Sequence, residues 1–93
     1  MLRIVLSKSA LPSLAKLAPD VHAAALDALR RIPAAFGHPH AHAGLGIRQL
    51  RPDIYEARIG LQLRAIFVRD AQELVVMAVG NHDEIQRYLK ERA

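Results

Sequence analysis

Apolar and polar residues alternate with a helical period in the first part of this 93-residue chain. Before that pattern begins, residues 2–6 (LRIVL) are apolar and partly β-branched, which predicts a buried strand. The leucines of SKSALPSLAKL then recur at helical spacing and predict a short helix. Ser9 is the expected N-cap of this helix, since its hydroxyl can accept a hydrogen bond from a free backbone N–H group.

A second, longer helix is predicted to begin at Pro19 and Asp20, because proline suits the first helical position and a carboxylate complements the positive helix end. Pro33 is expected to end it. The two helices should form a hairpin. The predicted apolar stripe of the second helix consists of Val21, Ala25, Ala28, Leu29 and Ile32.

In the second part of the chain, apolar and polar residues alternate with a period of two. This pattern predicts four strands. These lie at residues 47–50, 54–59, 63–68 and 74–79, with turns at 51–53 and 69–72, and they suggest an antiparallel meander. Asn81 and Glu84 have the spacing of a capping box and predict a final short helix.

This order of elements predicts a single α+β domain over residues 1–93. The helices should pack on one face of a twisted sheet, and the other face should stay at least partly open.

Amino-acid composition predicts where the protein is located and what kind of partner it binds. No apolar run reaches the roughly 20 residues of a membrane span, and no signal-peptide pattern is present, so we expect a cytoplasmic protein with no membrane partner. There is no cysteine, which excludes disulfides and thiolate chemistry. The formal charge is +4, and ten of the 13 cationic residues are arginines. Because arginine binds phosphate in a two-pronged fashion, an anionic partner is plausible.

Arg58 and Arg64 lie on two consecutive predicted strands. A three-residue loop, Gly60–Gln62, with glycine supplying unusual backbone angles, would place the two arginines directly opposite each other; a two-residue loop would separate them. Placed together, they could bind a phosphate. The alternative is that both pair with Glu56 and other surface carboxylates.

His82 follows the last strand at the start of the final helix. The partial positive charge there disfavours a protonated imidazole and keeps the neutral ring available as a base. The alternative is that this histidine only supports packing or the geometry of the helix start.

The stretch FGHPHAHAGLG carries His38, His40 and His42 at alternate positions. An extended segment holds such side chains too far apart for one metal ion, and no acidic residue lies among them. We therefore predict an exposed loop beside an anion site, with no metal centre.

Three stretches, GLGIRQL, IYEARIGLQLRAIFV and LVVMAVGNHDEIQRYLK, resemble the RelE/ParE superfamily of toxins from bacterial type II toxin–antitoxin systems. The resemblance covers nearly the whole chain. It implies a RelE-like fold, cleavage of messenger RNA on the ribosome by attack of a 2′-hydroxyl on the adjacent phosphate, no metal or other cofactor, and a hetero-oligomer with a cognate antitoxin. It also implies that Arg58 and Arg64 bind the phosphate, and that His82, or else Glu56, moves protons.

Further RNA contacts are expected from five side chains: Arg48, Arg51, Arg87, His40 and His42. The chain also departs from many relatives. Gln86 stands near the position of a family tyrosine, with Tyr88 two residues later, and Glu56 stands where some relatives have lysine. A ParE-like inhibitor of DNA gyrase and an inactive, antitoxin-binding relative are therefore the alternatives.

Overall fold

The computed structural model describes residues 1–38 and 44–92, which form one sheet and three helices. The strands are β1 (Arg3–Leu6), β2 (Arg48–Arg51), β3 (Ile54–Arg58), β4 (Arg64–Asp70) and β5 (Glu73–Gly80). The helices are α1 (Leu11–Ala15), α2 (Pro19–Ala35) and α3 (His82–Arg92). The sheet order is β1-β5-β4-β3-β2. Strands β2 to β5 form the predicted antiparallel meander, and β1 pairs in parallel with β5. The predicted α+β class is confirmed.

The strand ends differ from the predictions by one or two residues. The largest difference is at the hairpin between β4 and β5, where the predicted four-residue turn is wrong. Arg69 and Asp70 belong to β4 and pair with Leu74 and Glu73, so only Ala71 and Gln72 form the turn. Ala71 takes a positive φ of 54°, which such a tight hairpin requires. Exposed polar residues at a strand end had the appearance of a turn.

One face of the sheet packs against α1 and α2. The stripe of α2 buries Ala25, Ala28, Leu29 and Ile32 against sheet residues that include Phe67. The two alanines allow the helix backbone to approach the sheet closely. Val21 was wrongly assigned to this stripe: it is 39% exposed, because it lies beside an open cleft at the loop between β3 and β4.

Pro33 does not end α2, so that prediction is wrong. The helix continues to Ala35, and the Phe36 N–H donates to the Ile32 carbonyl at 2.9 Å. Proline removes one helical hydrogen bond, and its ring crowds the carbonyl group four residues earlier. Packing of Phe36 compensates for this loss, since its ring lies 4.9 Å from that of Tyr55 and 5.9 Å from that of Phe67, both edge-on.

Ser9 does not cap α1 as predicted. The N-cap is Ala10, which makes no side-chain capping bond, and the Ser9 hydroxyl instead donates to the Met77 carbonyl at 2.8 Å. Met77 is the extra residue of a β-bulge, since Ile66 pairs with Ala78 and Phe67 pairs with Val76. Bulged residues leave ladder groups unpaired, and Ser9 satisfies one of them.

Helix α3 lies on the opposite face from α1 and α2, so the prediction that the helices share one face is wrong for α3. Its buried Ile85 and Leu89 pack with Ile54 and Ile66, whereas Phe67, next along β4, belongs to the core under α2. Strand β4 is thus apolar on both faces and needs cover on both. Cover by α3 is partial, which leaves the polar ends of the strands accessible. None of the helices in the described residues has the length and apolar character of a membrane span.

The predicted capping box of α3 is confirmed. The Glu84 N–H donates to Asn81 Oδ1 and the Asn81 N–H donates to Glu84 Oε1, both at 2.9 Å. Glycine is required just before this box, because a Cβ at Gly80 would lie 2.8 Å from Glu84 Cβ. The sequence Gly-Asn-His-Asp-Glu therefore fixes where the helix begins and where His82 stands.

Replacing Asn81 with alanine should lower the free energy of unfolding by about 1 kcal/mol, because the Glu84 N–H at the helix start loses its acceptor, Asn81 Oδ1. In a domain of this size the melting temperature should fall by about 4–8 °C. Thermal unfolding followed by circular dichroism measures the change. Gln86→Ala, at an exposed position of the same helix, is the control and should melt like the unmodified protein. Equal melting temperatures for both variants would contradict the capping role.

Candidate active site

Two arginines stand side by side at the end of the β3–β4 hairpin. Arg58 pairs directly with Arg64 across the two strands, and the Ile59 N–H donates to the Leu63 carbonyl at 3.0 Å. The loop between the strands therefore has three residues. Of the two predicted loop lengths, the one that places the two arginines opposite each other is confirmed.

Gly60 serves this loop differently from the prediction. Its φ is not positive, so the expectation of unusual backbone angles is wrong. A Cβ at this position would instead lie 3.4 Å from Leu63 Cβ, which is a tight contact. The absence of a side chain lets the two sides of the loop approach each other.

His82 joins the two arginines. It is the first residue of α3, two residues after Gly80, and Gly80 pairs with Arg64 in the sheet. The three side chains line a common cavity of about 190 Å³, together with Leu61, Gln62 and Leu63. Three of the four predicted catalytic residues, from two strands and a helix start, are thus brought to one place.

The fourth, Glu56, does not line this cavity. It is 2% exposed. Its Oε1 accepts a hydrogen bond from Arg64 Nη1 at 3.3 Å and another from Arg48 Nε at 3.1 Å. The predicted pairing with a carboxylate therefore holds for Arg64, but Arg58 makes no salt bridge with the described residues.

The charge of the cavity is positive. Among the described residues, its lining contains two guanidinium groups and no carboxylate. Like charges opposite each other on a sheet are destabilising unless an anion lies between them. A phosphate would accept charge-assisted hydrogen bonds from both arginines. The imidazole of His82 in the same lining could then accept a proton from a hydroxyl beside that phosphate.

A second basic region lies between β2 and α3. Arg51, Arg87 and Lys90 line a groove of about 660 Å³ with Gln86 and Leu89. Arg51 Nη2 donates to the Leu89 carbonyl at 3.1 Å, which fixes this arginine against the helix. The structure thus brings together two of the predicted RNA-binding residues, Arg51 and Arg87, while Arg48 pairs with Glu56 between the groove and the cavity.

The remaining positions named from the sequence are His40, His42, Gln86 and Tyr88. His40 and His42 lie outside the described residues, so their RNA contacts and the absence of a metal centre in that loop stay predictions. Gln86 lines the groove, and the Tyr88 hydroxyl accepts a hydrogen bond from Arg92 at 3.1 Å. Neither of these two lines the cavity that contains His82.

Sequence reasoning missed Lys90 and Gln62. Lys90 follows Arg87 by three residues, and this helical spacing places both on one side of α3, so the signal was present. Gln62 had no such signal, because a loop side chain reaches the cavity only through the fold of the hairpin.

Comparison with known proteins identifies the fold. No protein-family model and no curated protein sequence matches this chain. Its structure, however, superposes on a chain of the archaeal RelE–RelB complex from Pyrococcus horikoshii with a TM-score of 0.64 at 16% identity, over 86% of this chain and 93% of that one. The chain has a RelE-like fold.

Two further structures share this RelE-like fold. YafQ from E. coli matches with a TM-score of 0.63 at 17% identity, over 91% of this chain and 98% of that one. A chain of the RelBE2 toxin–antitoxin complex from Mycobacterium tuberculosis matches with a TM-score of 0.60 at 22% identity, over 87% and 98% of the two chains. At these identities the RelE-like fold is the shared property.

Proposed function

We propose that this protein is the toxin of a type II toxin–antitoxin system and that it is a metal-independent endoribonuclease acting on messenger RNA, typically on the ribosome, in the cytoplasm. The observation that carries the proposal is the cavity that Arg58, Arg64 and His82 line together. It combines two cations that can bind a phosphate with a group that can accept a proton. These are the groups needed to cleave RNA by attack of the RNA 2′-hydroxyl on the adjacent phosphate.

The proposed reaction uses the RNA's own nucleophile. His82 accepts the proton of a 2′-hydroxyl as its oxygen bonds to the adjacent phosphorus, and the bond from phosphorus to the 5′-oxygen breaks. The leaving 5′-oxygen takes a proton from water, and His82 later returns its own proton to solvent. The products are a 2′,3′-cyclic phosphate and a 5′-hydroxyl. Arg58 and Arg64 stabilise the negative charge on the phosphoryl oxygens, which is greater in the transition state than in the substrate.

The RNA strand would continue from the cavity toward the second basic groove. Arg51, Arg87 and Lys90 line this groove, and Arg48 is 62% exposed between the two regions. Contacts with phosphates give affinity without base specificity. Such a path supports binding of a single strand along the α3 side of the sheet.

The proposed partner is a cognate antitoxin. RelBE2 is a toxin–antitoxin complex, and the Pyrococcus RelE chain is in a complex with RelB. In this chain, Leu61 is 98% exposed and Val21 is 39% exposed, and both line a cleft of about 380 Å³ between α2 and the β3–β4 loop. Exposed apolar residues around a cleft are typical of a protein-binding surface, which supports a hetero-oligomer.

Induction of this protein in bacteria should stop growth and fragment messenger RNA, and coexpression of a neighbouring small acidic open reading frame should restore growth. Primer extension on total RNA detects the cleavage sites. Purified protein should produce the same fragments in a translation reaction with purified ribosomes. Ribosomes need magnesium and would be disrupted by a chelator. Metal independence of the cleavage is therefore tested on free RNA in the presence of EDTA.

Growth arrest with intact messenger RNA and broken chromosomal DNA would replace this proposal with gyrase inhibition. Normal growth after induction, together with binding of the neighbouring acidic protein, would indicate the inactive relative.

A further inference from the structure

Glu56 is the one buried charged residue that the described part of the chain contains. Its side chain is 3% exposed, whereas those of its two partners are 30% exposed for Arg64 and 62% exposed for Arg48. Burial of a carboxylate is costly unless it is paired and hydrogen-bonded. The pair of guanidinium contacts therefore explains how the sheet tolerates this buried residue on β3.

Both contacts converge on the same carboxylate oxygen. Arg48 Nε reaches Oε1 from β2, and Arg64 Nη1 reaches it from β4, so Glu56 on β3 joins three neighbouring strands. Arg64 thereby has a fixed direction and a counter-charge. Arg58, opposite Arg64 on the same hairpin, has no salt bridge within the described residues.

In this arrangement the Glu56 carboxylate does not contact the proposed reacting groups. The carboxylate does not line the cavity of Arg58, Arg64 and His82, and a proton-transfer group must come within hydrogen-bond reach of the proton that it moves. Its influence on a ligand in the cavity therefore passes through Arg64. A guanidinium held by a carboxylate is better oriented but binds phosphate less strongly, because part of its charge is already compensated.

We propose that Glu56 is a positioning residue that orients Arg64 for phosphate stabilisation and lowers the affinity of the site for RNA in its ground state. The inference rests on the proposed ribonuclease function. It assigns different roles to the two arginines: Arg58 supplies the uncompensated charge that captures the phosphate, and Arg64 supplies a directed hydrogen bond that strengthens as charge develops.

Glu56→Gln tests the proposal through binding and turnover measured separately. Binding is measured with a fluorescent RNA oligonucleotide that carries 2′-O-methyl groups at every position, so that it cannot be cleaved. We expect about threefold tighter binding at low salt. The slope of log affinity against log salt should also steepen by about 0.7, the value for one additional phosphate contact in a single strand.

In Glu56→Gln, RNA binding should become tighter but cleavage of unmodified RNA should become slower. The kcat should fall by about 10- to 100-fold because Arg64 is no longer held in the productive direction, while KM falls with the tighter binding. Loss of a general base would instead lower kcat without tightening the binding of methylated RNA.

Glu73→Gln is the matched control. Glu73 also pairs with an arginine of a neighbouring strand, Arg3, at 3.0 Å, but at the other edge of the sheet. Each variant raises the formal net charge of +4 by one unit, so a general charge effect would appear equally in both. Equal binding and equal turnover in the two variants would overturn the proposal. So would a loss of cleavage in Glu56→Gln with binding unchanged, since that pattern identifies Glu56 as a proton-transfer group.

Thermal unfolding establishes whether Glu56→Gln folds. If it does not, Glu56→Asp is used, since it keeps the charge but withdraws the oxygen from both guanidinium groups. We then expect the same fall in kcat, and wild-type turnover in Glu56→Asp would overturn the proposal.

A measurement without RNA separates this inference from the ribonuclease proposal. In ¹⁵N-labelled protein, rotation of the Arg64 guanidinium should be slow in the wild type and fast in Glu56→Gln, with Arg30 as an unaffected reference. Fast rotation in the wild type would overturn the positioning role whatever the RNA result. Slow rotation in a wild-type protein that neither binds nor cleaves RNA would instead reject the ribonuclease function.

Discussion

Replacing His82 with alanine is expected to slow RNA cleavage by about 10²–10⁴-fold, the usual contribution of a general acid–base group. His82 is exposed, and it stands at the first position of α3 beside the cavity that contains both arginines. The capping box of α3 is made by Asn81 and Glu84, so the helix start does not depend on the imidazole. The variant should therefore fold normally and bind methylated RNA like the wild type.

His82→Gln sharpens this test. A glutamine side chain can donate and accept hydrogen bonds but cannot take up a proton near neutral pH, so it should be as slow as alanine if proton transfer is the role of His82. Added imidazole should partly restore cleavage to His82→Ala, because it can enter the space that the side chain leaves. The readout is the rate at which fragments with a 5′-hydroxyl end appear.

His22→Ala is the control for His82. His22 lies on α2 and lines neither the cavity nor the basic groove, so this variant should cleave at the wild-type rate. Cleavage by His82→Gln at the wild-type rate would remove the histidine from the mechanism. It would leave the cavity as a binding site alone.

Replacing Arg58 with alanine is expected to reduce cleavage by about 10²–10³-fold, the loss commonly found when one well-placed charged donor is removed. Arg58 is the clean choice between the two arginines. It makes no salt bridge within the described residues, and its backbone N–H bond to the Leu45 carbonyl persists in the variant. Arg64→Ala would in addition leave the buried Glu56 with a single partner, which confuses function with stability.

The loss in Arg58→Ala should appear in binding as well as in rate. The salt dependence of binding to methylated RNA should become shallower by about 0.7 in the log–log slope, as expected for one lost phosphate contact. Arg58→Lys keeps the charge but loses the two-pronged geometry, so we expect intermediate activity from it.

Arg30→Ala is the matched control for Arg58. Arg30 is an exposed arginine of α2 that does not line the cavity, and its replacement removes the same charge. Equal loss of RNA affinity in Arg30→Ala and Arg58→Ala would mean that the protein attracts RNA only through its overall positive charge, and that no phosphate site exists at the hairpin.

Much of this architecture was accessible from local sequence patterns. The meander followed from the period-two segments, and the start of α3 followed from Asn81 and Glu84, whose side chains act within a single turn of chain. The errors came where tertiary contacts outweighed local preference. Packing of Phe36 carries α2 past Pro33, and the bulge at Met77 draws Ser9 away from its expected cap.

The candidate site was predictable in part for the same reason. The pairing of Arg58 with Arg64 depends on one short loop, and the sequence had reduced it to two alternatives. The role of Glu56 was not accessible, because its second partner, Arg48, lies on another strand whose register is set by the turn and bulge between β2 and β3. Whether a carboxylate faces a substrate or is buried behind it depends on what covers it.

The sequence by itself determined the succession of helices and strands, the excess of arginine and the helix start that carries His82, because each arises from residues close together in the chain. Only the tertiary structure decided that α3 lies on the face opposite α1 and α2, that Arg58, Arg64 and His82 line one cavity, and that Glu56 is buried between Arg48 and Arg64. The physical reason is that these relations depend on strand register and on burial of both faces of β4, and both are properties of the assembled sheet.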